Sequence, residues 1–345
     1  MRERNNLEVV DRKRVHDQVL DPIMRTTDTI ELSIVCVNWN SLAYLRECIE
    51  SIYQNTSGIN FEIIVVDNAS PDRGGETLEQ EFPEITVVKS ENNLGFAGAS
   101  NLGFRHSHGS HVLLLNPDTK LIGPAINILL QQIRSLPDAG IVGGKLLNTD
   151  SSIQTASVQK FPTLLNQLTN VEYLRMKWPG CPLWDISPLF LDTPQPIKVE
   201  VIPGACMLLK REVFERVGLL TEDYFMYAED IDLNYKVRNL GLSSYYVGTA
   251  QIVHHGGTSS SRQPVSHWSI LMKHRAMLMY YRMIGGPVYG LLYRVTMGLS
   301  ALVHLALLAV LFPFGNKEEI RLKTEKWYTV LRWSLRLEQP VTSKS

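Results

Sequence analysis

Three short apolar runs, each closed by an amide or acid turn, set the tightest limit on how this chain folds. Leu32-Ser33-Ile34-Val35-Cys36-Val37 ends at Asn38-Trp39-Asn40-Ser41, Phe61-Glu62-Ile63-Ile64-Val65-Val66 ends at Asp67-Asn68, and His111-Val112-Leu113-Leu114-Leu115 ends at Asn116-Pro117-Asp118. Runs of this length, rich in β-branched residues, are those of strands buried on both faces. After the first, Leu42, Leu45, Ile49 and Ile52 recur at helical spacing, and Ser41 can cap that helix. Thr86-Val87-Val88 is a weaker strand. Strand and helix in alternation predict an α/β fold with right-handed crossovers and a mainly parallel central sheet. Ligands of such sheets bind at the carboxyl ends of the strands, which sets Asn38, Asp67 and Asp118 along one edge.

A second acidic feature lies far downstream. Glu229-Asp230-Ile231-Asp232, set between Phe225-Met226-Tyr227-Ala228 and Leu233-Asn234-Tyr235-Lys236, puts three acids in four positions beside apolar and aromatic neighbours. Such acids have coupled proton affinities and include a candidate general base; alternatively they only satisfy a helix N-terminus. Asp118 on a stiff turn suits Mg²⁺ or Mn²⁺ bridging two phosphates, although Asn116 offers a neutral carbonyl where a second carboxylate would grip harder. In residues 91–103 the small Gly95, Ala97, Gly98, Ala99 and Ser100 either admit a bulky ligand, with a helix starting near Gly98 facing a diphosphate, or pack that helix on the sheet. No P-loop and no Gly-x-Gly-x-x-Gly is present in that stretch.

With 34 basic and 35 acidic residues among 345, there is no global field that favours nucleic acid, so an anionic ligand needs a local site. Cys36, Cys48, Cys181 and Cys206 are widely spaced and fit free thiols in a reducing compartment. The mixed-charge residues 1–30 are expected to be a cytoplasmic extension. Residues 161–196, rich in proline and carrying Trp178 and Trp184, are expected to form a long excursion near an acceptor. Residues 201–209 are expected to form a strand. His255 to Arg262 is a Gly/Ser-rich hinge in which Arg262 can reach a phosphate. Residues 295–314 are almost continuously apolar and long enough to span a bilayer, and the basic, aromatic segments before and after them suit an anionic membrane surface.

Taken in order, Val37-Asn38-Trp39-Asn40, Val66-Asp67-Asn68-Ala69-Ser70, Asn92-Asn93-Leu94-Gly95-Phe96-Ala97-Gly98, Leu115-Asn116-Pro117-Asp118 and Glu229-Asp230-Ile231-Asp232-Leu233 resemble the successive motifs of family-2 inverting glycosyltransferases, most of all the rhamnosyltransferase-like branch. The resemblance spans roughly residues 32–260. It implies a GT-A fold, expected in residues 31–262; the apolar and basic segments behind it are expected to form a helical membrane-associating region in residues 263–345, with the enzyme at the cytoplasmic face of the cell membrane. The resemblance also implies a nucleotide-sugar donor, expected from the branch to be rhamnose on deoxythymidine diphosphate; a basic face beside lipid would bring a growing, lipid-linked cell-surface glycan to the cleft as acceptor. By the same resemblance Asn38, Asp67, Asn68, Asn92, Gly95 and Gly98 line the nucleotide, Asp118 and His254 hold Mg²⁺ or Mn²⁺, and Asp230 is the base, with Glu229 and Asp232 tuning or orienting it. Lys236 stands where the family usually has arginine. Without a Gln-x-x-Arg-Trp signature a processive synthase is not expected. The alternatives are a catalytically inactive nucleotide-sugar-binding partner in a glycan-assembly complex, or a soluble enzyme with a buried C-terminal helix.

Overall fold

The computed structural model describes residues 29–72, 74–169, 172–256, 267–311 and 316–337. The expected alternation is there: β1 Leu32–Asn38, α1 Leu42–Asn55, β2 Phe61–Asn68, α2 Gly74–Glu81, β3 Thr86–Ser90, α3 Gly95–Arg105 and β4 His111–Leu115. β1 pairs in parallel with β2 and β4, and β2 with β3, which sets Asn38 directly beside Asp67. β1 is buried along its whole length because helices cover both its faces. Ile34 and Cys36 pack with Leu45, Ile49 and Ile52 of α1, while Val35 packs on the opposite side with Ala97 and Phe104 of α3.

The rest of the sheet is mixed. β5 Thr119–Ile122, α4 Ala125–Ser135 and β6 Ala139–Leu147 follow, then β7 Ile197–Val199, β8 Cys206–Lys210, α7 Arg211–Arg216, α8 Glu229–Asn239 and β9 Ser243–His254. The strand order is β3-β2-β1-β4-β8-β6-β9-β5, with β7 also on β9. β8 runs antiparallel to both β4 and β6. The strand expected over 201–209 begins only at Cys206, because residues 202–204 are held off the ladder by side chains of α8: Asn234 Oδ1 accepts from Ile202 N–H at 3.1 Å and Asp230 Oδ2 from Gly204 N–H at 3.2 Å.

The excursion between β6 and β7 carries α5 Leu164–Thr169 and α6 Glu172–Lys177. Much of it is core: Trp184, Ile186 and Leu189 pack beneath β6 and β8, and Trp184 Nε1 donates to the Trp178 carbonyl. α9, His267–Leu311, is not one rod. Gly286 has φ 71° and ψ −173°, and Pro287 follows it, so the helix breaks into α9a (residues 267–285) and α9b (residues 287–311). The two rods pack side by side, with Tyr281 stacked on Tyr293 at 4.5 Å and His274 Nδ1 2.8 Å from the Tyr293 hydroxyl. α10, Lys317–Ser334, lies against both: Trp333 meets His274 at 5.1 Å and Tyr293 at 5.8 Å, and Trp327 stacks on His304 at 3.8 Å. The first 28 residues, Arg262, and Pro313 with Phe314 lie outside the described residues.

Candidate active site

The carboxyl ends of the strands converge as the alternation requires. Asp67, next to last in β2, is buried, with Oδ1 accepting from Ser70 N–H and Oδ2 from Gly75 N–H, both at 3.0 Å. It therefore shapes its own turn and caps α2, and a base contact would have to use the remaining lone pairs of those oxygens. Asn38 Oδ1 accepts from the Ser41 hydroxyl at 2.9 Å. Asn68 ties the end of β2 to the next motif: Oδ1 accepts from Leu94 N–H at 2.8 Å, and Nδ2 donates to Asn93 Oδ1 at 3.0 Å. Asn93, not singled out from sequence, also accepts from Gly95 N–H at 2.9 Å, whereas Asn92 is exposed.

The small residues of α3 have packing reasons. α3 begins at Gly95, not near Gly98, and Gly95 has φ +70°. A Cβ there would lie 2.0 Å from the Phe225 carbonyl oxygen, which accepts from Phe96 N–H at 2.9 Å. Gly98 sits over Leu94, and a Cβ at Gly103 would meet Val35 and Val66. The Phe225 loop at Gly95, Leu94 at Gly98 and the sheet at Gly103 each leave little or no room for a Cβ, with or without a ligand in the cleft.

Asp118 is buried after β4, and β5 pairs with β9 so that Thr119 faces His254. His254 Nε2 lies 3.3 Å from Asp118 Oδ1 and 3.3 Å from Asn116 Nδ2. Gln154, which no sequence signal marked, sets the imidazole. Its Nε2 donates to the His254 carbonyl at 2.5 Å, so its Oε1 is the acceptor for His254 Nδ1 at 2.9 Å. In the neutral ring this contact sets the proton on Nδ1 and the lone pair on Nε2, the tautomer a metal-binding imidazole needs. Asp118 and His254 are only two ligands, and among the described residues no group of three or more His, Cys, Asp or Glu could hold a metal ion. That donor set fits a divalent cation completed by phosphate oxygens, and its nitrogen favours Mn²⁺ over Mg²⁺.

The acidic motif opens α8. Tyr227 (φ 72°) and Ala228 (φ 66°) are both left-handed, at a cost of about 1–3 kcal/mol each. This strained turn aims Glu229 and Asp230. Asp230 Oδ2 accepts from Gly204 N–H at 3.2 Å and Oδ1 from Ile231 N–H at 2.8 Å. Burial raises its pKa, an effect those two N–H groups partly offset. Glu229 is more deeply buried, and its Oε2 has no hydrogen-bond partner among the described residues. Burial first and the neighbouring Asp230 second raise its pKa well above the carboxylate range, which favours its neutral form.

Asp232 does not tune Asp230. It points to the far side of α8, where Oδ2 accepts from the Thr221 hydroxyl at 2.6 Å and pairs with Lys236 Nζ at 2.9 Å. Lys236 also donates to Thr221 Oγ1 and the Leu219 carbonyl. The lysine in the arginine position thus braces the loop before the motif. Asn234, also unmarked in the sequence, donates to the carbonyls of Ile202 and Asp230.

Two adjacent residues join the halves of the cleft: Gly204 N–H binds Asp230, and the Ala205 carbonyl accepts from Asn116 N–H at 3.0 Å. A separate cavity of about 280 Å³, lined by Lys160, Phe161, Glu200 and Arg238, opens at the C-terminal end of α8, away from Asp230.

Residues 33–218 match the family model described as Glycosyl transferase family 2. The N-acetylglucosaminyl-diphospho-decaprenol L-rhamnosyltransferase of Mycobacterium tuberculosis is 28% identical over 247 residues, 68% of this chain and 80% of that protein. The low-salt glycan biosynthesis hexosyltransferase Agl10 of Haloferax volcanii is 29% identical over 227 residues, 65% of this chain and 66% of its own. Among solved structures, mannosyltransferase PcManGT from Pyrobaculum calidifontis, in complex with GDP-Man and Mn²⁺, aligns with a TM-score of 0.53 at 15% identity over 94% of this chain and 92% of its own. GalNAc-T7 with UDP, GalNAc and Mn²⁺ aligns at 0.54 and 14% identity over 90% of this chain and 57% of its own. At these identities the structural likeness speaks for the fold alone, which is the expected GT-A arrangement.

Proposed function

Because this chain belongs to glycosyl transferase family 2 and is a glycosyltransferase, we propose that it moves one sugar, with inversion, from a nucleoside-diphosphate sugar to a hydroxyl of a growing lipid-linked glycan. The observation that carries this reading is the Gly204–Ala205 link, which holds the candidate base Asp230 and the Asn116, Asp118 and His254 cluster in one cleft. Inverting transfer is a single in-line displacement, so it needs a base on the acceptor side and charge neutralisation on the leaving-group side. Asp230, half-buried and with a raised proton affinity, takes the acceptor proton. Glu229, held neutral beside it, contributes no second negative charge. Asp118 Oδ1 and His254 Nε2 would hold a divalent cation, Mn²⁺ or Mg²⁺, which would supply the positive charge that the departing diphosphate needs. Asn38, Asp67 and Asn68 form the nucleoside side of the cleft.

A rhamnosyl donor is supported by the mycobacterial relative's name, and a polyprenyl-diphosphate-linked acceptor by the same name. The catalytic unit is assigned to residues 31–262, and residues 263–345 to membrane attachment at the cytoplasmic face, supported by the apolar α9b. The test is Asp230→Asn. Transfer should fall about 10²–10⁴-fold while donor binding survives. Undiminished transfer removes Asp230 as the base. Failure of the unaltered protein to transfer any nucleotide sugar that it binds favours the inactive-partner alternative.

A further inference from the structure

We infer that α9b lies along a lipid surface instead of crossing it, an inference that rests on the membrane reading above. By length and composition alone either is open, since Val288 to Val310 extends about 33 Å, roughly the thickness of a hydrocarbon core. The packing decides. Val288, Leu292, Val295, Leu299, Val303 and Val310 recur at helical spacing and are each between 47% and 70% exposed. The other face of the same helix, with Tyr293, Met297 and Ala301, is buried. α9b therefore offers lipid one stripe, not a full circumference.

What covers the other face cannot enter a bilayer. α10 is locked to α9b by the His304–Trp327 stack and by Ser334, whose Oγ would be only 2.7 Å from a Cβ at Gly298. Yet α10 exposes Lys317, Arg321, Lys323, Glu325 and Lys326 on its outer side. Each such charge costs about 2.5–3.5 kcal/mol at a bilayer centre. α9a, packed beside α9b, is bound in turn to the enzyme through Trp268 on Phe225 at 6.0 Å and Tyr280 on Tyr235 at 6.2 Å. A spanning α9b would drag charged and catalytic elements into hydrocarbon. Lying flat immerses the stripe and leaves them in water.

Charge selects the occupant. α9 carries Lys273, Arg275, Arg282 and Arg294 and no acidic residue; Arg294 is buried over the Trp333 ring, whereas Arg282 is exposed at the kink end of the stripe, over Gly290. A second copy docked by a two-fold axis would bring equally basic helices together. An anionic lipid surface meets both the stripe and the charge. Since Trp268 touches Phe225, whose carbonyl abuts Gly95 in the cleft, the membrane plane is also fixed relative to Asp230.

The test places an environment-sensitive fluorophore on single cysteines at Val288→Cys, Leu299→Cys, Val310→Cys and, on α10, Lys323→Cys, in full-length Cys181→Ser protein, the other native thiols being buried. Phosphatidylcholine vesicles containing phosphatidylglycerol, brominated at shallow or deep acyl positions, serve as quenchers. The expected result is equal, shallow quenching at 288, 299 and 310 and none at 323. Deep quenching at 299 alone among the three overturns the inference while leaving membrane attachment intact. No co-sedimentation and no quenching anywhere overturns membrane attachment itself. Leu299→Glu with Val303→Glu, both on the exposed face, should lower vesicle partitioning at least about tenfold with unchanged thermal unfolding; undiminished partitioning contradicts the stripe.

Discussion

Gly95→Ala puts the largest demand on the cleft for the smallest change in chemistry. The new Cβ would stand 2.0 Å from the Phe225 carbonyl oxygen, so that oxygen must retreat about 1 Å merely to reach the 3.0 Å limit of real contacts. The left-handed φ of +70° adds about 1–2 kcal/mol for any residue with a Cβ. Losing the 2.9 Å bond from Phe96 N–H to Phe225 adds about 1 kcal/mol more. About 2–3 kcal/mol leaves a domain of ordinary stability folded. The displaced segment, however, runs through Phe225 into the strained Tyr227-Ala228 turn that aims Asp230, and a shift of about 1 Å at a reacting group costs on the order of 10²-fold in rate. Sugar transfer should fall by about that factor while nucleotide affinity, measured by calorimetry, changes little. The reverse pattern, affinity lost and turnover kept, would refute the reasoning and return Gly95 to the diphosphate.

Three further outcomes follow from the same geometry. Gln154→Ala frees the His254 ring and should weaken Mn²⁺-dependent nucleotide binding about 10–100-fold without touching a ligand, as read by titration. Glu229, whose pKa is raised on folding, adds stability that is full below the ordinary carboxylate range and is lost as pH rises through the raised value; Glu229→Gln should therefore flatten the decline of the unfolding temperature toward alkaline pH. Lys236→Met leaves the buried Asp232 without its cation and should cost about 2–3 kcal/mol in urea unfolding, less than a fully buried pair because Lys236 is partly exposed; adding Asp232→Asn should recover part of it.

The sequence made the edge of the cleft readable because a strand buried on both faces needs an unbroken apolar run, and the turn that ends it must be polar. Asn38, Asp67 and Asp118 all lie where that rule puts them. The antiparallel insertion of β8 was not readable, since an apolar run carries no direction. Gln154 escaped notice because a lone amide in a loop says nothing about a histidine 100 positions away. The spacing of Asp232 and Lys236 is that of an i,i+4 ion pair, a signal outweighed by the clustering of three acids. Gly285-Gly286-Pro287 likewise spelled out the break in α9. Strain at Tyr227 and Ala228 belongs to no local signal; it exists only because Phe225 and α8 are each fixed from outside.

The most direct measurement is calorimetric titration of the purified chain and of Asp118→Asn with deoxythymidine, uridine and guanosine diphosphates, each with Mn²⁺ and then with chelator. Binding of one nucleotide that needs Mn²⁺ and is lost in Asp118→Asn is the predicted result. Binding of none, or binding indifferent to both chelator and substitution, would contradict a metal-assisted nucleotide-sugar site between Asp118, His254 and Asp230.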